Sequence, residues 1–119
     1  MALVQRVNYS QAASIVTPNI LMGTAIEYLG KASLVDLYAA AFLAAANDTI
    51  SLTYTQGGDS RVMVPAGSGI NVNAAGPQIA FDALLSDYPV PQGAHLVLSV
   101  TSDATAGTHT GRFMIGLKP

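Results

Sequence analysis

Two histidines and one aspartate are the first residues whose types could do chemistry in this chain. His95 opens the alternating run His95–Thr101, and His109 ends a polar loop, residues 102–110, that also contains Asp103. If the strands flanking this loop pair as a hairpin, both imidazoles and the carboxylate come close together, and such a set could hold a metal. No tight spacing such as His-x-x-x-His supports a metal site. The favoured interpretation is two surface imidazoles near a hairpin end.

A hydrolytic triad can be written with the same loop. Ser99 or Ser102 would be the nucleophile, His109 the base and Asp103 its partner. The chain has no Gly-x-Ser-x-Gly elbow and no recognisable oxyanion loop, both of which would position such a nucleophile. We therefore expect no catalytic residues and predict that the protein is not an enzyme.

The acidic residues and the glycines favour turns over chemistry. Glycosidase work needs two carboxylates flanking a cleft, whereas most of the Asp residues stand where Asp favours turn geometry. Gly57-Gly58 and Gly67-Ser68-Gly69 match neither a Walker loop nor a dinucleotide fingerprint. Because the chain has no Cys, disulfides and thiolate sites are excluded. We expect no cofactor-binding residues, no metal ligands and no cofactor. The carboxylates considered are Glu27, Asp36, Asp48, Asp59, Asp82, Asp87 and Asp103.

Strict alternation marks the strongest elements that would position these residues. In Thr49–Thr55, Ile50, Leu52 and Tyr54 share one face, which predicts a half-buried strand. The preceding segment, residues 34–45, is rich in Ala and is interpreted as a strand, with a helix as the alternative. Since Asn47-Asp48 separates the two runs, we expect them to form a hairpin.

The remaining segments complete an all-β pattern. About eight short strands, with turn signals every 8–12 residues and no convincing long helix, predict a single-domain antiparallel β-sandwich with a jelly-roll-like arrangement. We expect residues 1–32 to be an irregular N-terminal arm and residues 33–119 to be the sandwich domain. The other predicted strands are Leu3–Val7, Ala25–Leu29, Arg61–Val64, Ile70–Asn73, Gln78–Leu85 (strand or one helical turn), His95–Thr101 and Gly111–Leu117.

A short sequence pattern occurs twice. Val64-Pro65-Ala66-Gly67 and Val90-Pro91-Gln92-Gly93 both precede an alternating run. Pro ends a strand and Gly permits the tight turn. The two copies are either equivalent corners in two halves of a sandwich or a turn solution common to β-proteins.

Charge is scarce throughout the chain. Charged residues make up 10% of the 119 residues, against about 25% in a typical soluble domain. The five cations are scattered, so we expect no direct nucleic-acid binding. The longest apolar run, Leu37–Ala46, is too short for a membrane span, which needs about 20 residues. We also expect no secretory signal, because Met1–Asn8 has no charged region leading into an apolar stretch.

A surface so poor in charge suits permanent contacts between subunits, which predicts an obligate assembly component and a homo-oligomer.

With its Val-Pro-x-Gly corners before alternating strands and its Ala/Thr/Ser/Gly-rich composition, the chain resembles the small virion proteins of tailed bacteriophages. It is most similar to head decoration (cement) proteins and minor capsid proteins with jelly-roll-like sandwiches. The resemblance covers residues 33–119. It implies a virion protein, assembled in the host cytoplasm, that stabilises the shell. Its partners would be the major capsid protein or other virion subunits, it would favour trimers, and it would have no catalytic residues.

A second hypothesis is a carbohydrate- or receptor-binding sandwich, such as a fibre or lectin-like module. Such domains stack sugars on exposed aromatic rings. Tyr54 and Tyr88 are the candidates for that role, and the chain has no Trp.

Overall fold

A computed structural model describes residues 3–43, 46–70 and 82–119. These residues form β-strands joined by turns, and no helix among them is long and apolar enough to cross a membrane. The strands of the described residues are β1 (Leu3–Gln11), β2 (Val16–Thr17), β3 (Ser33–Ala41), β4 (Thr49–Gln56), β5 (Asp59–Gly69), β6 (Asp82–Val90), β7 (His95–Thr101) and β8 (His109–Lys118).

The eight strands of the described residues form two antiparallel four-stranded sheets. The strand order is β1-β8-β3-β6 in the first sheet and β2-β7-β4-β5 in the second. Every connection except that between β4 and β5 carries the chain from one sheet to the other, which is the jelly-roll arrangement. The predicted all-β jelly-roll sandwich is confirmed.

The core lies between the two sheets and is filled by alternate residues of each strand. Phe113 and Ile115 of β8 face Leu96 and Leu98 of β7 across the sandwich, and all four are fully buried. The neighbouring strand β4 adds Leu52. The period of two that predicted these strands is therefore the period of their burial.

The Ala-rich segment is extended. Ser33–Ala41 forms β3 between β6 and β8, and its Ala39, Ala40 and Ala41 are fully buried. The strand prediction is confirmed over this range; Ala44 and Ala45 lie outside the described residues. Cross-strand pairing on both sides outweighs the helix propensity of alanine.

The predicted hairpin across Asn47-Asp48 is wrong. β3 belongs to the first sheet and β4 to the second, so the connection crosses between sheets. The reason lies in Asp48, whose side chain turns inward and is fully buried instead of facing solvent at a hairpin tip.

The two Val-Pro-x-Gly copies occupy different structural positions. Val64–Gly67 lies inside β5, where the register against β4 shifts, and Val90–Gly93 forms the turn from β6 to β7. Pro65 does not end its strand, because β5 is a sheet edge where a missing N–H costs no ladder bond. Gly67 and Gly93 share a positive φ, 88° and 84°. The two copies therefore share a glycine with a positive φ and are not equivalent corners of the sandwich.

The first 32 residues differ from the expected irregular arm. β1 pairs with β8 along its whole length, Leu3 to Gln11, and β2 pairs with β7. The predicted strand Ala25–Leu29 consists of turns and one isolated bridge, between Tyr28 and His95. The alternation of exposed and covered residues in β1 explains its place in the sheet.

Two further predictions fall partly outside the described residues. Of the run Ile70–Asn73, only Ile70 is described, and it follows β5 without being part of a strand. The segment Gln78–Leu85 is described from Asp82, where β6 begins as a strand. Residues 71–81 lie outside the described ranges.

Candidate functional site

A buried cluster of polar groups surrounds His109, the first residue of β8. Its ring Nδ1 lies 2.7 Å from Oδ1 of Asp48, and its Nε2 lies 2.7 Å from the Thr105 carbonyl oxygen. The second oxygen of Asp48 accepts a hydrogen bond from the Tyr9 hydroxyl at 2.7 Å. We call Tyr9, Asp48, His109 and the Thr105 carbonyl the histidine cluster. It joins β1, the β3–β4 connection, the β7–β8 loop and β8 at one end of the sandwich.

Glycine at position 111 makes room for the histidine cluster. Tyr9 and Gly111 are paired in the β1–β8 register. A Cβ atom at Gly111 would lie 2.3 Å from Cε1 of Tyr9 and 2.6 Å from the Ala40 carbonyl oxygen, both impossible contacts. The missing side chain lets the Tyr9 ring cross β8, pack against Phe113 at a centroid distance of 5.5 Å, and reach Asp48.

Both ring nitrogens of His109 face oxygen acceptors, so the geometry favours the doubly protonated imidazolium. Burial by itself would lower the pKa of His109. The hydrogen bonds to the Thr105 carbonyl and to Asp48, with the charges of Asp48 and Asp103, outweigh burial and hold that pKa above its usual value. Burial, followed by the hydrogen bond to Asp48 and its charge, raises the pKa of the Tyr9 hydroxyl, which therefore stays protonated as a donor.

Asp103 fixes the loops around the histidine cluster. Its carboxylate accepts hydrogen bonds from the backbone N–H of Asn47 at 2.6 Å and of Thr105 at 3.0 Å, and it lies 3.9 Å from Nε2 of His109. These two N–H groups, followed by the nearby His109 charge, lower the pKa of Asp103. Asp103 and His109 lie close together as expected, but the favoured interpretation of His109 as a surface imidazole near a hairpin end is wrong, because His109 is fully buried and β7 and β8 do not form a hairpin.

His95 belongs to a different place. β7 and β8 lie in different sheets instead of forming a hairpin, and the length of β7 separates the two histidines. Nε2 of His95 lies 2.8 Å from Oε2 of Glu27, and its ring stacks on Tyr28 at 4.5 Å and 11°. The backbone N–H of Gly23 and then the His95 hydrogen bond lower the pKa of Glu27. The set of His95, His109 and Asp103 does not form.

The histidine cluster is arranged as a clamp and not as a triad. Ser102 is buried, and its hydroxyl accepts a hydrogen bond from Gln11 Nε2 at 2.7 Å. Both ring nitrogens of His109 contact other groups, Oδ1 of Asp48 and the Thr105 carbonyl oxygen. The ligand atoms of Asp48, Asp103 and His109 lie within 4.8 Å of one another. A cation there would have to displace existing hydrogen bonds of Asp48 or His109. The chemistry that the cluster supports is to hold the loops at this end together.

A second polar group fixes a bulge on the outer face of the first sheet. Oδ1 of Asp36 accepts the backbone N–H of Asp87 at 2.7 Å, where β6 shifts register against β3 and Asp87 has a φ of 51°. Nζ of Lys118 lies 3.1 Å from Oδ2 of Asp36 and also contacts Asp87. The Asp87 N–H, then Lys118, lower the pKa of Asp36. The only sequence signal was an Asp within an otherwise apolar run.

Two arginines lie near each other on the same outer face. Arg6 of β1 and Arg112 of β8 line a shallow groove with Asn8 and Met114. Nε of Arg112 donates to Oδ1 of Asn8 at 2.9 Å. Neither arginine makes an ion pair with a carboxylate of the described residues. We call these four residues the arginine groove. The sequence showed Arg6 and Arg112 as scattered cations because they are 106 positions apart and become neighbours only through β1–β8 pairing.

The exposed aromatic surface is not where the sequence suggested. Tyr54 and Tyr88 are partly buried against the core, whereas Tyr28 is 62% exposed. Tyr28 borders a cavity of about 530 Å³ that is also lined by Ile26, Leu117 and Pro119. The proposed stacking residues are therefore poorly placed for a sugar, and Tyr28 is better placed.

Comparison with known proteins gives a fold and no family. No protein-family model matches the sequence, and no curated protein matches it. The chain is similar to a solved structure of T=1 particles derived from infectious bursal disease virus, with a TM-score of 0.51, 9% identity and 98% of the chain covered. A structure of the Gt strain of the same virus gives a TM-score of 0.47 at 9% identity over 98% of the chain. A subunit of Bacillus endospore appendages gives 0.32 at 8% identity over 98%.

The strand order and this similarity define the class of the molecule: its eight described strands form a jelly-roll β-sandwich, a fold similar to one in the particles of infectious bursal disease virus. The chain spans 31% and 33% of the two viral chains and 88% of the appendage subunit. The viral similarity does not point to a bacteriophage in particular, so a phage origin stays a prediction.

Proposed function

We propose that the protein is a structural virion protein that stabilises a shell through contacts between subunits, as a capsid decoration (cement) or minor capsid protein. It has no catalytic role, and its partners are the major capsid protein or other virion subunits. The observation that carries the proposal is the jelly roll formed by the described strands, in the orders β1-β8-β3-β6 and β2-β7-β4-β5, together with the similarity of 98% of the chain to part of a chain in a viral particle.

The placement of the few charges supports this proposal. Ion pairs in the described residues stabilise loops and a bulge: His109 with Asp48, His95 with Glu27, and Lys118 with Asp36. Much of the remaining surface carries apolar or small polar groups, including exposed Val4, Met22 and Val62. Interface cores are depleted in charge in the same way, which suits a subunit that stays associated.

The test is to delete the gene from the genome that encodes it and to measure how the resulting particles withstand heat. A shell-stabilising subunit predicts that particles still form and release their genome at a lower temperature, and that added purified protein restores the wild-type temperature. Particles with unchanged heat resistance and unchanged yield would contradict the proposal.

One observation favours a second candidate, a glycan- or receptor-binding module. The exposed Tyr28 ring beside an open cavity offers a stacking surface, although His95 covers one of its faces. Millimolar or tighter binding on a glycan array that is lost in Tyr28→Ala, together with particles whose heat resistance is unaffected by gene deletion, would favour this candidate over the shell protein.

A further inference from the structure

We propose that the arginine groove binds a carboxylate side chain of a neighbouring polypeptide. The site is the pair of guanidinium groups of Arg6 and Arg112 on the outer face of the first sheet. The groove is separate from the histidine cluster, which lies inside the sandwich.

Pairing of β1 with β8 sets the geometry. Arg6 lies opposite Met114, and Arg112 lies opposite Asn8, so the two arginines are diagonal neighbours on one face. Diagonal side chains across an antiparallel pair are about 7–8 Å apart and within reach when they are long. The Asn8 oxygen accepts the Nε–H of Arg112 at 2.9 Å, which orients this guanidinium. No other group of the described residues accepts a hydrogen bond from its two terminal nitrogens.

The charge arrangement shows what the groove lacks. On the same face, Lys118 is neutralised by Asp36 and Asp87. Arg6 and Arg112 have no carboxylate partner among the residues that the structure describes. Two like charges side by side on a sheet repel each other. An incoming carboxylate would remove this repulsion, and the planar guanidinium fork matches its two oxygens.

The surroundings of the groove favour a polypeptide over a nucleic acid. Met114 lines it, and Val4, on the same face of β1, is 56% exposed. Arginine beside apolar side chains is typical of the central contacts of protein interfaces. A nucleic acid presents a row of phosphates, and binding it at physiological salt depends on neutralising several of them. That the neighbour is a virion subunit rests on the proposed function, whereas carboxylate binding by the groove does not.

The experiment follows the arginine side-chain Nε–H signals of ¹⁵N-labelled full-length protein by NMR. The probe is the peptide acetyl-Gly-Asp-Gly-Asp-Gly-amide, and the comparison peptide has Asn in place of both Asp. Inorganic phosphate and a ten-nucleotide oligothymidylate are titrated separately at the same ionic strength. The variants are R6Q and R112Q, with R61Q as the matched control because Arg61 is exposed on β5 of the other sheet. Backbone amide spectra confirm that each variant is folded.

We expect the Asp peptide to shift the Arg6 and Arg112 signals saturably and the Asn peptide to leave them in place. Affinity should fall at least tenfold in R6Q and in R112Q and stay unchanged in R61Q. In the wild-type protein, raising NaCl from 50 to 500 mM should weaken binding.

Four results would overturn the proposal. They are equal shifts with the Asn peptide, an equal loss in R61Q, tighter binding of oligothymidylate, or a response to phosphate only. None of these results bears on the heat resistance of particles, so the groove and the shell function can fail independently.

Discussion

Oδ1 of Asp48 lies 2.7 Å from Nδ1 of His109, and neither side chain has any exposed surface. This contact links the chain where it crosses between the two sheets to the strand at the centre of the first sheet. Removing one partner of a buried ion pair strongly destabilises the folded state, because no solvent stabilises the charge that remains. We therefore expect this contact to stabilise this end of the sandwich.

The first prediction concerns the removal of one partner of this contact. His109→Gln and Asp48→Asn should each lower the free energy of unfolding by about 3 kcal/mol, since breaking a buried pair leaves an uncompensated group. Urea denaturation of the purified protein measures it. The matched control is His95→Gln, because the His95 side chain is 30% exposed and its pair with Glu27 is partly solvated; a loss below about 1 kcal/mol is expected there. Equal losses in the three variants would contradict the role given to the histidine cluster.

The second prediction is a pH dependence of stability. The folded protein raises the pKa of His109 above the usual 6.5, so the folded state binds this proton more tightly than the unfolded state. The resulting stabilisation is complete below about pH 6.5 and is lost as the pH rises through the raised pKa. Denaturation midpoints should therefore decline from pH 6 to pH 9 in the wild type and in His95→Gln, and should be flatter in His109→Gln.

At acidic pH the dependence of stability on pH has the opposite sign. Asp36, Asp103 and Glu27 have lowered pKa values in the folded protein. Their stabilisation is present at pH values above their ordinary pKa values and is lost as the pH falls through the lowered pKa values.

For the second prediction, a stability that rises from pH 6 to pH 9, or a decline of equal size in His109→Gln, would show that His109 is not held as an imidazolium.

The third prediction concerns the space that Tyr9 needs. Gly111→Ala should destabilise the protein by more than about 2 kcal/mol, since an added methyl group that overlaps packed atoms forces strain in the core. The control is Gly116→Ala on the same strand, where a Cβ would meet only ordinary contacts with Asp36 at 3.6 Å. Thermal unfolding followed by circular dichroism compares the two. A Gly111→Ala protein as stable as Gly116→Ala would mean that the Tyr9 ring does not cross β8 as described.

The fourth prediction concerns the bulge in β6. Asp36→Ala removes the acceptor of the Asp87 N–H and the partner of Lys118, and a loss of about 1–2 kcal/mol is expected for a mostly buried acceptor. Asp59→Ala is the control, because Asp59 is exposed at the start of β5 and substitutions at such sites usually change stability by less than about 0.5 kcal/mol. Chemical denaturation measures both. Equal effects would indicate that the bulge holds without Asp36.

Sequence patterns predicted the strands better than their partners. The alternation in β4, β7 and β8 is local, because each strand buries every second side chain, and it gave the correct faces. Which sheet a strand joins depends on contacts between distant residues. A hairpin across Asn47-Asp48 is the shortest connection that the local sequence predicts. This prediction is wrong because Asp48 pairs with His109, 61 positions away.

The histidine cluster and the arginine groove could not be predicted from the sequence for the same reason, because each brings together residues that are far apart along the chain. Asp48 follows Asn47 in a pair typical of turns, and nothing near it in the sequence indicates a buried partner. Arg6 and Arg112 become neighbours only when the first and last strands pair. The expected proximity of Asp103 and His109 could be predicted, since a single short loop contains both residues.

The measurement that tests the central claim most directly is the copy number of this chain in purified particles from its source, by quantitative mass spectrometry against the major shell protein. A structural virion subunit predicts that the chain is retained through density-gradient purification at a fixed ratio that matches the symmetry of the shell. A chain that is abundant in the lysate and absent from the purified particles would contradict the account.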